Sequence, residues 1–462
     1  MSIRTILAVG AAKAALLASR IAGRQGSSLP GRIALKIDPG IIKRLSGQVR
    51  GRIIVTCGTN GKTTTNNLLC EMLQAQGYKV VCNRTGANML EGVAAAFLAS
   101  ADSRGRLDAD FACLEIDEAS ARHVFRYLRP DLMILTNLFR DQLDRYGEID
   151  LTMGALQEAI RMAPSVKLVI NGDDPLTAYL AEKSGNSYVC FGVSERCADP
   201  QGAAGAVREG SFCEYCGSLL QYDFFHFSQL GVYHCPSCGF KRPKIRYDAS
   251  GVRAGGGLSF AVNGQNIESP MRGFYNVYNL LAAWAALKEC GCETDRFNEV
   301  LRGYKTQFGR GETFEIGRTR VLLNLAKNPA GFDQNISAVL EDRTSKDLII
   351  AINDNAQDGR DISWLCDVDF DRLGDETVRS ITVGGTRALD MRLRLKYAGL
   401  QAETADEAAS ARKASVKARE RDPEAALEAA IEGKLEDGCG NLYVLVNYTA
   451  LYKAHEFLRK NG

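Results

Sequence analysis

Short runs of apolar, β-branched residues alternate with longer helix-like segments from Arg52 onward. The first run covers residues 53–55, and a Gly-rich turn and a predicted helix over residues 64–76 follow it. Further buried strands are predicted at residues 80–82, 111–116, 132–136 and 168–170. Because such alternation is typical of a doubly wound parallel sheet with helices on both faces, we expect an α/β fold.

The pattern changes between residues 211 and 242, where paired cysteines and aromatic residues replace the apolar runs. This stretch predicts a small inserted module, and the helix-like segment over residues 277–289 is expected to return the chain to the main fold. A second series of strands is predicted at residues 320–325, 347–352, 380–383 and 442–446. Residues 403–434 are rich in Ala, Glu, Lys and Arg and predict solvated helices.

These patterns divide the chain into three parts, which agrees with a length of 462 residues and about 150 residues per domain. We expect a helical leader over residues 1–45 and a central domain over residues 46–302 that carries the insertion at 211–242. A smaller C-terminal αβ domain is expected over residues 303–462.

The leader contains an apolar, Ala-rich stretch over residues 3–21, which Lys13 and Arg20 interrupt. Its uncharged part is shorter than the ~20 residues that a bilayer span needs, and no convincing signal-peptide cleavage site follows. We therefore expect a short amphipathic helix that docks on the protein's own body. Contact with a membrane surface is the alternative.

Net charge and cysteine content narrow the classes of function. The chain has 57 Lys and Arg against 55 Asp and Glu, and a net charge of +2 offers no field for binding nucleic acid. It has 14 Cys beside only 4 His and no visible signal peptide, which favours the reducing cytosol. We therefore expect thiolates to serve as metal ligands rather than to form disulfides.

A Gly-rich loop joins the first predicted strand to the first predicted helix, and its residues are Gly58, Thr59, Asn60, Gly61, Lys62, Thr63 and Thr64. Glycines let successive backbone N–H groups point at phosphate oxygens, and the helix N-terminus adds a partial positive charge. Lys62 is placed to reach the β- and γ-phosphates, and the Thr63 hydroxyl is placed to bind Mg²⁺. We expect this loop to bind a nucleotide, although Thr56 stands where the general Walker pattern has Gly.

Two cysteine pairs have the spacing of zinc ligands, with 18 residues between the pairs: Cys213 and Cys216, then Cys235 and Cys238. Two intervening residues within each pair let both sulfurs turn toward one ion, and Gly217 and Gly239 permit the tight turn. Four thiolates complete a tetrahedral shell, so the predicted Zn²⁺ has a structural role.

Several segments resemble the Mur ligase family, ATP-dependent enzymes that activate a carboxylate as an acyl phosphate. The loop has the family's form, G-T-N-G-K-T-T. The resemblance implies that Glu115, at the end of a predicted strand, binds Mg²⁺ together with Thr63. It also implies that Asn276 and Asn279, in a G-x-x-N-x-x-N stretch, approach adenine. The T-N…D-H-L-D segment of the family corresponds to residues 136–147, where Gln142 replaces its His.

Residues 171–175 resemble the N-x-D-D-P turn of the same family. Asp and Asn are common as turn and capping residues, because their side chains bond to nearby backbone groups. We expect such a role for Asp173 and Asp174, and the same interpretation is open for Asn137.

Mur ligases usually carry an N-terminal domain that binds the UDP part of their substrate, and the stretch before the phosphate loop is too short for it. The lack of this domain, the inserted module and the C-terminal third together resemble the MurT type of this family. The resemblance implies amidation of the D-glutamate α-carboxyl in the lipid-linked stem peptide of a peptidoglycan precursor. It also implies a separate GatD-type glutaminase subunit that supplies ammonia. The sequence contains no G-x-C-x-G nucleophile elbow, which favours such a partner. We expect a cytoplasmic enzyme that works at the inner face of the membrane.

Three features of the C-terminal third extend the resemblance. Arg310 stands at the domain junction, where the family places an arginine that can meet the γ-phosphate. Residues 324–329 occupy the place of the family's D-Y-A-H-N-P segment, with Asn for its Asp and Lys for its His. Asp354, Asp358 and Asp361 follow a predicted strand, where open α/β sheets bind ligands, and the resemblance places one Asp of this region at the junction with the glutaminase.

The resulting hypothesis is that Lys62, Arg310 and Mg²⁺ draw charge from the γ-phosphate while the substrate carboxylate attacks it. Ammonia then captures the acyl phosphate. One alternative is an amino-acid-adding ligase of the same superfamily, which shares the ATP-site residues. Another is a P-loop ATPase that binds nucleic acid, which the near-neutral charge disfavours.

Overall fold

The computed structural model describes residues 3–21, 28–84, 87–141, 149–197, 209–304, 309–412 and 423–462. Its helices are α1 (Ile3–Ile21), α2 (Leu29–Ile37), α3 (Ile41–Ser46), α4 (Lys62–Ala75), α5 (Leu90–Ser100), α6 (Glu118–Val124), α7 (Ile149–Met162), α8 (Pro175–Ser184), α9 (Tyr275–Glu289), α10 (Phe297–Gly303), α11 (Pro329–Glu341), α12 (Ala388–Tyr397), α13 (Ala405–Arg412), α14 (Pro423–Glu436) and α15 (Tyr448–Asn461). Its strands are β1 (Ile53–Cys57), β2 (Val80–Cys82), β3 (Phe111–Glu115), β4 (Leu132–Leu135), β5 (Lys167–Asn171), β6 (Tyr188–Val193), β7 (Gln221–Phe227), β8 (Leu230–His234), β9 (Tyr247–Ala254), β10 (Leu258–Val262), β11 (Gln265–Ser269), β12 (Arg310–Ile316), β13 (Thr319–Leu325), β14 (Lys346–Ala351), β15 (Val378–Gly384), β16 (Glu403–Thr404) and β17 (Asn441–Val446).

Nine strands form the central sheet in the order β11-β10-β9-β6-β5-β4-β1-β3-β2. The strands from β9 to β2 in this order pair in parallel, whereas β10 pairs antiparallel with both β9 and β11. All five residues of β1 are buried, as expected when helices cover both faces of a parallel sheet. The doubly wound α/β fold predicted from the sequence is therefore confirmed.

Strand β1 lies in the middle of this sheet, between β3 and β4. Its residue Ile54 pairs with Cys113 on one side and with Leu132 on the other. Because parallel strands end at the same edge, the loops that follow β1, β3 and β4 leave the sheet side by side. This is the edge where open α/β sheets bind ligands, and it carries the Gly-rich loop at residues 58–64.

The inserted module is an antiparallel hairpin of β7 and β8 between β6 and β9, and the two cysteine pairs flank it. The sequence analysis was wrong about where the chain returns to the main fold. It returns at β9, and β9–β11 extend the central sheet before α9 begins. These strands escaped prediction because several positions of β9 are exposed and polar, so no apolar run marks it.

Six strands form the C-terminal sheet in the order β12-β13-β17-β14-β15-β16, and the four strands predicted for this part are all present. The expectation of purely solvated helices over residues 403–434 was wrong in part. Glu403–Thr404 form an edge strand beside β15, and α14 buries Leu427 and Ile431. This packing was not predicted because only a few apolar residues of the highly charged segment are buried. Residues 413–422 lie outside the described residues.

The leader packs on α5 of the main body. Ala8, Val9 and Ala12 of α1 are completely buried. Gly31 of α2 lies so close to α5 that a Cβ atom there would be 1.8 Å from the carbonyl oxygen of Glu91. The predicted docking of this segment on the protein's own body is confirmed. Within the part of the chain that the structure describes, no helix is long and apolar enough to cross a membrane.

Candidate active site

The Gly-rich loop after β1, here called the phosphate loop (residues 58–64), has no space for side chains at its two glycines. Gly58 and Gly61 have φ angles of +122° and +85°, which L-residues rarely adopt. A Cβ atom at Gly58 would lie 2.2 Å from Thr136 Oγ1, and one at Gly61 would lie 2.0 Å from Asn279 Oδ1. The close approach of these two side chains explains why glycine is needed at both positions.

Asn137, in the loop after β4, fixes the middle of the phosphate loop. Its carbonyl oxygen accepts a hydrogen bond from Thr59 N at 2.8 Å, and its Oδ1 accepts one from Asn60 N at 2.8 Å. Its Nδ2 donates to Asn60 O at 3.1 Å. Asn137 therefore holds the loop in shape, which agrees with its interpretation as a turn residue. Helix α4 begins within the loop, at Lys62.

Lys62 forms a buried ion pair with Glu118, at the start of α6. The distance from Lys62 Nζ to Glu118 Oε1 is 2.9 Å, and Nζ also donates to Gly58 O at 2.5 Å. Burial opposes the charge on Lys62, but the carboxylates of Glu118, Asp117 and Glu115 outweigh it and raise the pKa of Lys62. The ammonium group is therefore charged before any phosphate arrives, and Glu118 balances it.

Glu115, at the end of β3, offers a carboxylate oxygen to a ligand. Asn88 Nδ2 donates to its Oε1 at 3.1 Å, whereas Oε2 is among the described buried oxygens that have no hydrogen-bond partner. Thr63, at the start of α4, lines the same cavity as Glu115. A hydroxyl and a carboxylate suit Mg²⁺, which prefers hard oxygen ligands, so these two residues fit the predicted ion.

A cavity with an empty volume of about 860 Å³ lies between the phosphate loop and the C-terminal domain. Asn276 and Asn279 of α9 line it, and Asn279 Nδ2 donates to Asn276 Oδ1 at 2.8 Å. Its other lining residues include one methionine and several aromatic residues: Met271, Phe227, Tyr275, Tyr278 and Tyr304. A cavity that combines aromatic side chains with side-chain amide groups is suited to a nucleobase.

The C-terminal domain contributes directly to the phosphate loop. Arg310, at the start of β12, donates from Nη2 to Thr63 Oγ1 at 3.3 Å. Asn328, the N-cap of α11, exchanges two side-chain hydrogen bonds with Asn60, at 3.1 and 3.3 Å. The structure thus brings Arg310 to the loop where the resemblance to Mur ligases places it.

Lys327 is a second cation from the C-terminal domain, and it forms an ion pair with Asp141 in which the two side chains are 14% and 12% exposed. Burial opposes its charge, but Asp141 outweighs burial and raises the pKa of Lys327. A second cavity, with an empty volume of about 1070 Å³, is lined by both residues of this pair, and also by Lys62, Thr63, Glu115 and Arg310. Three cations from two domains therefore face one cavity beside the phosphate loop.

The three carboxylates of the predicted cluster, Asp354, Asp358 and Asp361, differ in their surroundings. Both Asp358 carboxylate oxygens accept hydrogen bonds from Thr449, one from its N–H at 2.9 Å and the other from its hydroxyl at 2.5 Å. Burial raises the pKa of Asp358, while these two bonds oppose the shift. Asp358 thus holds its loop against α15 through these two hydrogen bonds.

The other two carboxylates are more accessible. Asp354 accepts a hydrogen bond from Thr386 Oγ1 at 2.8 Å, and its side chain keeps 33% of its exposure. Asp361 accepts one from the backbone N–H of Ser363 at 2.8 Å. The loop that carries them also lines the second cavity, through Ala356 and Gln357.

The four cysteines that flank the β7–β8 hairpin converge, as their spacing predicts. Their Sγ atoms all lie within 4.8 Å of one another, with the closest pairs at 3.4 and 3.5 Å: Cys213 with Cys238, and Cys216 with Cys235. Gly217 and Gly239 have φ angles of +70° and +79°, which agrees with the predicted tight turns. Tetrahedral Zn²⁺ with bonds of about 2.3 Å separates its sulfurs by about 3.8 Å, so the cluster fits this ion.

Asp173 joins the hairpin module to the nucleotide cavity. It is completely buried, and it accepts hydrogen bonds from Arg242 Nε at 2.7 Å and from the Tyr278 hydroxyl at 2.7 Å. Asp174 caps α8 by accepting a hydrogen bond from Leu176 N at 3.0 Å. Asp174 therefore has the capping role expected of the turn at residues 171–175. Asp173 does not, because its carboxylate bonds to groups that are distant in sequence.

Several site residues were not singled out from the sequence. Glu118 follows Glu115 by three residues, and Lys327 lies in the segment 324–329. Their pairing with Lys62 and Asp141 depends on elements that are distant in sequence. Phe227 enters the nucleotide cavity from the inserted hairpin, and no motif marks it. The predicted segment at residues 142–147 and the junction residue Phe308 lie outside the described residues.

Comparison with known families agrees with this geometry. The family described as Mur ligase middle domain matches residues 55–231, and the family described as MurT ligase C-terminal matches residues 325–451. The first match contains the phosphate loop, Glu115 and strand β7 of the hairpin. The second contains Lys327, Asn328 and the aspartate loop. Enzymes of the Mur ligase family use ATP and Mg²⁺.

Curated relatives resemble the chain over most of its length. The lipid II isoglutaminyl synthase (glutamine-hydrolyzing) subunit MurT of Staphylococcus aureus strain COL is 38% identical over 85% of this chain and 88% of its own. The subunit of the same name from Streptococcus pneumoniae strain R6 is 33% identical over 99% of this chain and 98% of its own.

A solved structure shares the fold. The pseudomurein peptide ligase type C from Methanothermus fervidus superposes with a TM-score of 0.67 at 23% identity, covering 89% of this chain and 79% of that protein. The chain therefore belongs to the Mur ligase family, within its MurT branch, and is an ATP-dependent ligase.

Proposed function

We propose that the protein amidates the D-glutamate α-carboxyl of the lipid II stem peptide to D-isoglutamine, through an acyl phosphate and with ammonia from a glutaminase partner. The observation that carries the proposal is the second cavity, where Lys62, Arg310 and Lys327 face Glu115 and Thr63. The cavity joins a phosphate loop to cations of a second domain, as activation of a carboxylate by ATP requires. The names of the two MurT relatives support the substrate and the ammonia source.

The first half-reaction is phosphoryl transfer. An oxygen of the substrate carboxylate attacks the γ-phosphorus of ATP, the bond between that phosphorus and the bridging β-γ oxygen breaks, and ADP leaves. Lys62 and Arg310 stabilise the negative charge that spreads over the transferred group. Lys62 must exchange Glu118 for phosphate oxygens, and the buried carboxylate ensures that the lysine is charged when this occurs.

The residues that we propose for Mg²⁺ are Thr63 and Glu115, because one is a hydroxyl at the start of α4 and the other has a buried oxygen without a partner. When bound there, the ion would neutralise charge on the phosphates. Adenine is assigned to the first cavity, beside Asn276 and Asn279, whose amide groups can donate to and accept from its ring edge.

The second half-reaction is capture of the acyl phosphate by ammonia. The ammonia nitrogen attacks the carbonyl carbon, phosphate leaves and one proton is released, which yields a carboxamide. Water would hydrolyse the same intermediate, so the site must be covered during this step. The contacts of Asn60 with Asn328 and of Asp141 with Lys327 hold the C-terminal domain over the cavity.

The ammonia source that we propose is a GatD-type glutaminase subunit. The relatives are named as subunits and as glutamine-hydrolysing, and Cys57, the cysteine directly before the phosphate loop, is unsuited to attack on glutamine. Cys57 is completely buried, and burial raises its pKa well above the usual range. A protonated, buried thiol is a poor nucleophile. Asp354 and Asp361, which are accessible, are the residues that we assign to the subunit junction.

We further propose that the four cysteines hold a structural Zn²⁺, which makes the inserted hairpin a zinc ribbon. Its role follows from the position of the hairpin. Phe227 enters the nucleotide cavity, and Gln229 Nε2 donates to Leu138 O at 2.6 Å in the loop beside the phosphate loop. A hairpin locked by metal would therefore help to shape the adenine side of the site.

Replacement of Lys62 tests the ligase reaction. With ATP, Mg²⁺, ammonium and a lipid II analogue, mass spectrometry should show conversion of one carboxylate to a carboxamide. Lys62→Met should lower this rate at least about 100-fold, since it removes charge stabilisation at the γ-phosphate. The exposed Lys79→Met is the matched control and should retain activity. A product that contains an added amino acid would support an amino-acid-adding ligase instead.

The assignment of the subunit junction is tested by comparing two nitrogen sources in the complex with the glutaminase. At least one of Asp354→Asn and Asp361→Asn should reduce glutamine-dependent amidation about tenfold or more, while ammonium-dependent amidation stays unchanged. Asp358→Asn should instead lower the free energy of unfolding by about 1–3 kcal/mol, because it disturbs a buried hydrogen-bonded carboxylate. Full glutamine-dependent activity in both the Asp354 and the Asp361 variant would contradict the assignment.

The zinc proposal is tested by metal analysis and nucleotide binding. Cys213→Ser with Cys216→Ser should abolish stoichiometric zinc and weaken ATP binding by about tenfold, or ~1.4 kcal/mol, because the metal would no longer hold the ends of the hairpin together. Cys366→Ser, at an exposed cysteine outside the cluster, is the control. Retained zinc would refute the metal site. Lost zinc with unchanged ATP affinity would refute its link to the nucleotide cavity.

A further inference from the structure

Helix α1 is apolar on two opposite faces. Its inner face, with Ala8, Val9 and Ala12, is completely buried against the body. Its outer face carries larger side chains that remain exposed, and we call this set the outer stripe: Ile3 at 79%, Ile6 at 43%, Leu7 at 61% and Leu17 at 61%. A helix that only covered the body would present polar residues to water on that face.

The outer stripe is continuous along the helix. Its members are spaced by three, one and ten residues, and Gly10 and Ala14 fill the interval at helical spacing. Residues three and four apart lie on one face of a helix, so the stripe runs along the length of α1. The two small residues between the bulky ones are also exposed, which leaves the stripe without a polar interruption.

The segment that carries the stripe has an unusual charge. Residues 1–37 contain six Lys and Arg and no Asp or Glu, although the whole chain has a net charge of only +2. Arg32 and Lys36 of α2 are exposed, and Arg4 of α1 is also exposed and bonds to the carbonyl oxygen of Ile37 at the end of α2. Residues 1–37 therefore carry only positively charged side chains, and three of these are exposed on α1 and α2.

The first carboxylate after this segment does not compensate it. Asp38 is 1% exposed, and it is consumed internally by an ion pair with Arg44 and a hydrogen bond from Thr5 Oγ1 at 2.9 Å. An approaching surface therefore meets exposed aliphatic side chains together with the exposed cations Arg4, Arg32 and Lys36, and no exposed carboxylate from the described part of the leader.

We propose that the outer stripe of α1 lies on an anionic lipid bilayer, with Ile3, Ile6, Leu7 and Leu17 at the acyl boundary and the basic side chains at the headgroups. Interfacial helices combine an apolar face with Lys and Arg in this way, and each cation near an anionic surface adds attraction. The docked inner face keeps the helix parallel to the protein surface rather than across the membrane. The proposal rests on the proposed function only in that a lipid-linked substrate gives the contact its purpose.

Charge decides between a bilayer and a protein as the occupant. Two copies of this chain that met through the stripe would bring together twelve cations and no carboxylate from residues 1–37, which like-charge repulsion disfavours. An anionic lipid surface instead provides the complementary charge over an extended plane. The stripe, which is aliphatic and uninterrupted, needs no specific pocket in its partner.

The test is co-sedimentation of the full chain with vesicles of phosphatidylcholine containing about one third phosphatidylglycerol. The wild-type chain should bind, and Leu7→Gln with Leu17→Gln should weaken binding at least about tenfold. Leu389→Gln with Leu393→Gln is the matched control, because these leucines on α12 are similarly exposed, at 72% and 53%. Vesicles of phosphatidylcholine alone, or added salt, should weaken binding of the wild-type chain.

Three outcomes would overturn the proposal. The first is no binding by the wild-type chain, and the second is equal binding by the Leu7 and Leu17 variant. The third is that the Leu7 and Leu17 variant differs from the wild-type chain in oligomeric mass or in binding to the glutaminase, measured by light scattering, while its vesicle binding is unchanged. Amidation of a water-soluble substrate analogue should be unaffected in both variants. Failure of that reaction in the wild-type chain would count against the proposed function and not against membrane contact.

Discussion

The close packing of the phosphate loop is the constraint on which the rest of the site depends. Asn137 fixes its backbone from one side, and Asn279 of α9 and Thr136 occupy the space that side chains at Gly61 and Gly58 would need. These contacts fix the conformation of the loop at the edge of the sheet, where Asn137 accepts hydrogen bonds from the backbone N–H groups of Thr59 and Asn60. The same contacts set the position of α9, and with it the two asparagines that line the nucleobase cavity.

The electrostatics of the site follow from this geometry. Because the loop is buried, Lys62 needs a counter-charge, and Glu118 supplies it. Lys327 needs one for the same reason and finds it in Asp141, across the interface between the central and C-terminal domains. Both lysines are therefore charged where they face the second cavity. A phosphate group that binds there exchanges places with Glu118 or Asp141 and does not have to protonate a neutral lysine. The interface is thus part of the site.

The sequence predicted those parts that local chemistry determines. The phosphate loop and the cysteine pairs could be predicted because glycine spacing and thiol spacing are short-range signals. Glu115 and Arg310 were predicted from the resemblance to the Mur ligase family. The pairings of Lys62 with Glu118 and Lys327 with Asp141 require the fold, since they join distant elements. Strands β9–β11 were missed because an antiparallel edge exposed to water needs few apolar residues.

The central claim is that both domains act together to activate a carboxylate as an acyl phosphate. The most direct measurement uses substrate labelled with ¹⁸O in the D-glutamate α-carboxyl, with ATP, Mg²⁺ and ammonium, followed by mass analysis of the phosphate released. Transfer of one labelled oxygen to phosphate is predicted, because the attacking carboxylate oxygen leaves with the phosphoryl group. Formation of the amide with unlabelled phosphate would contradict the account.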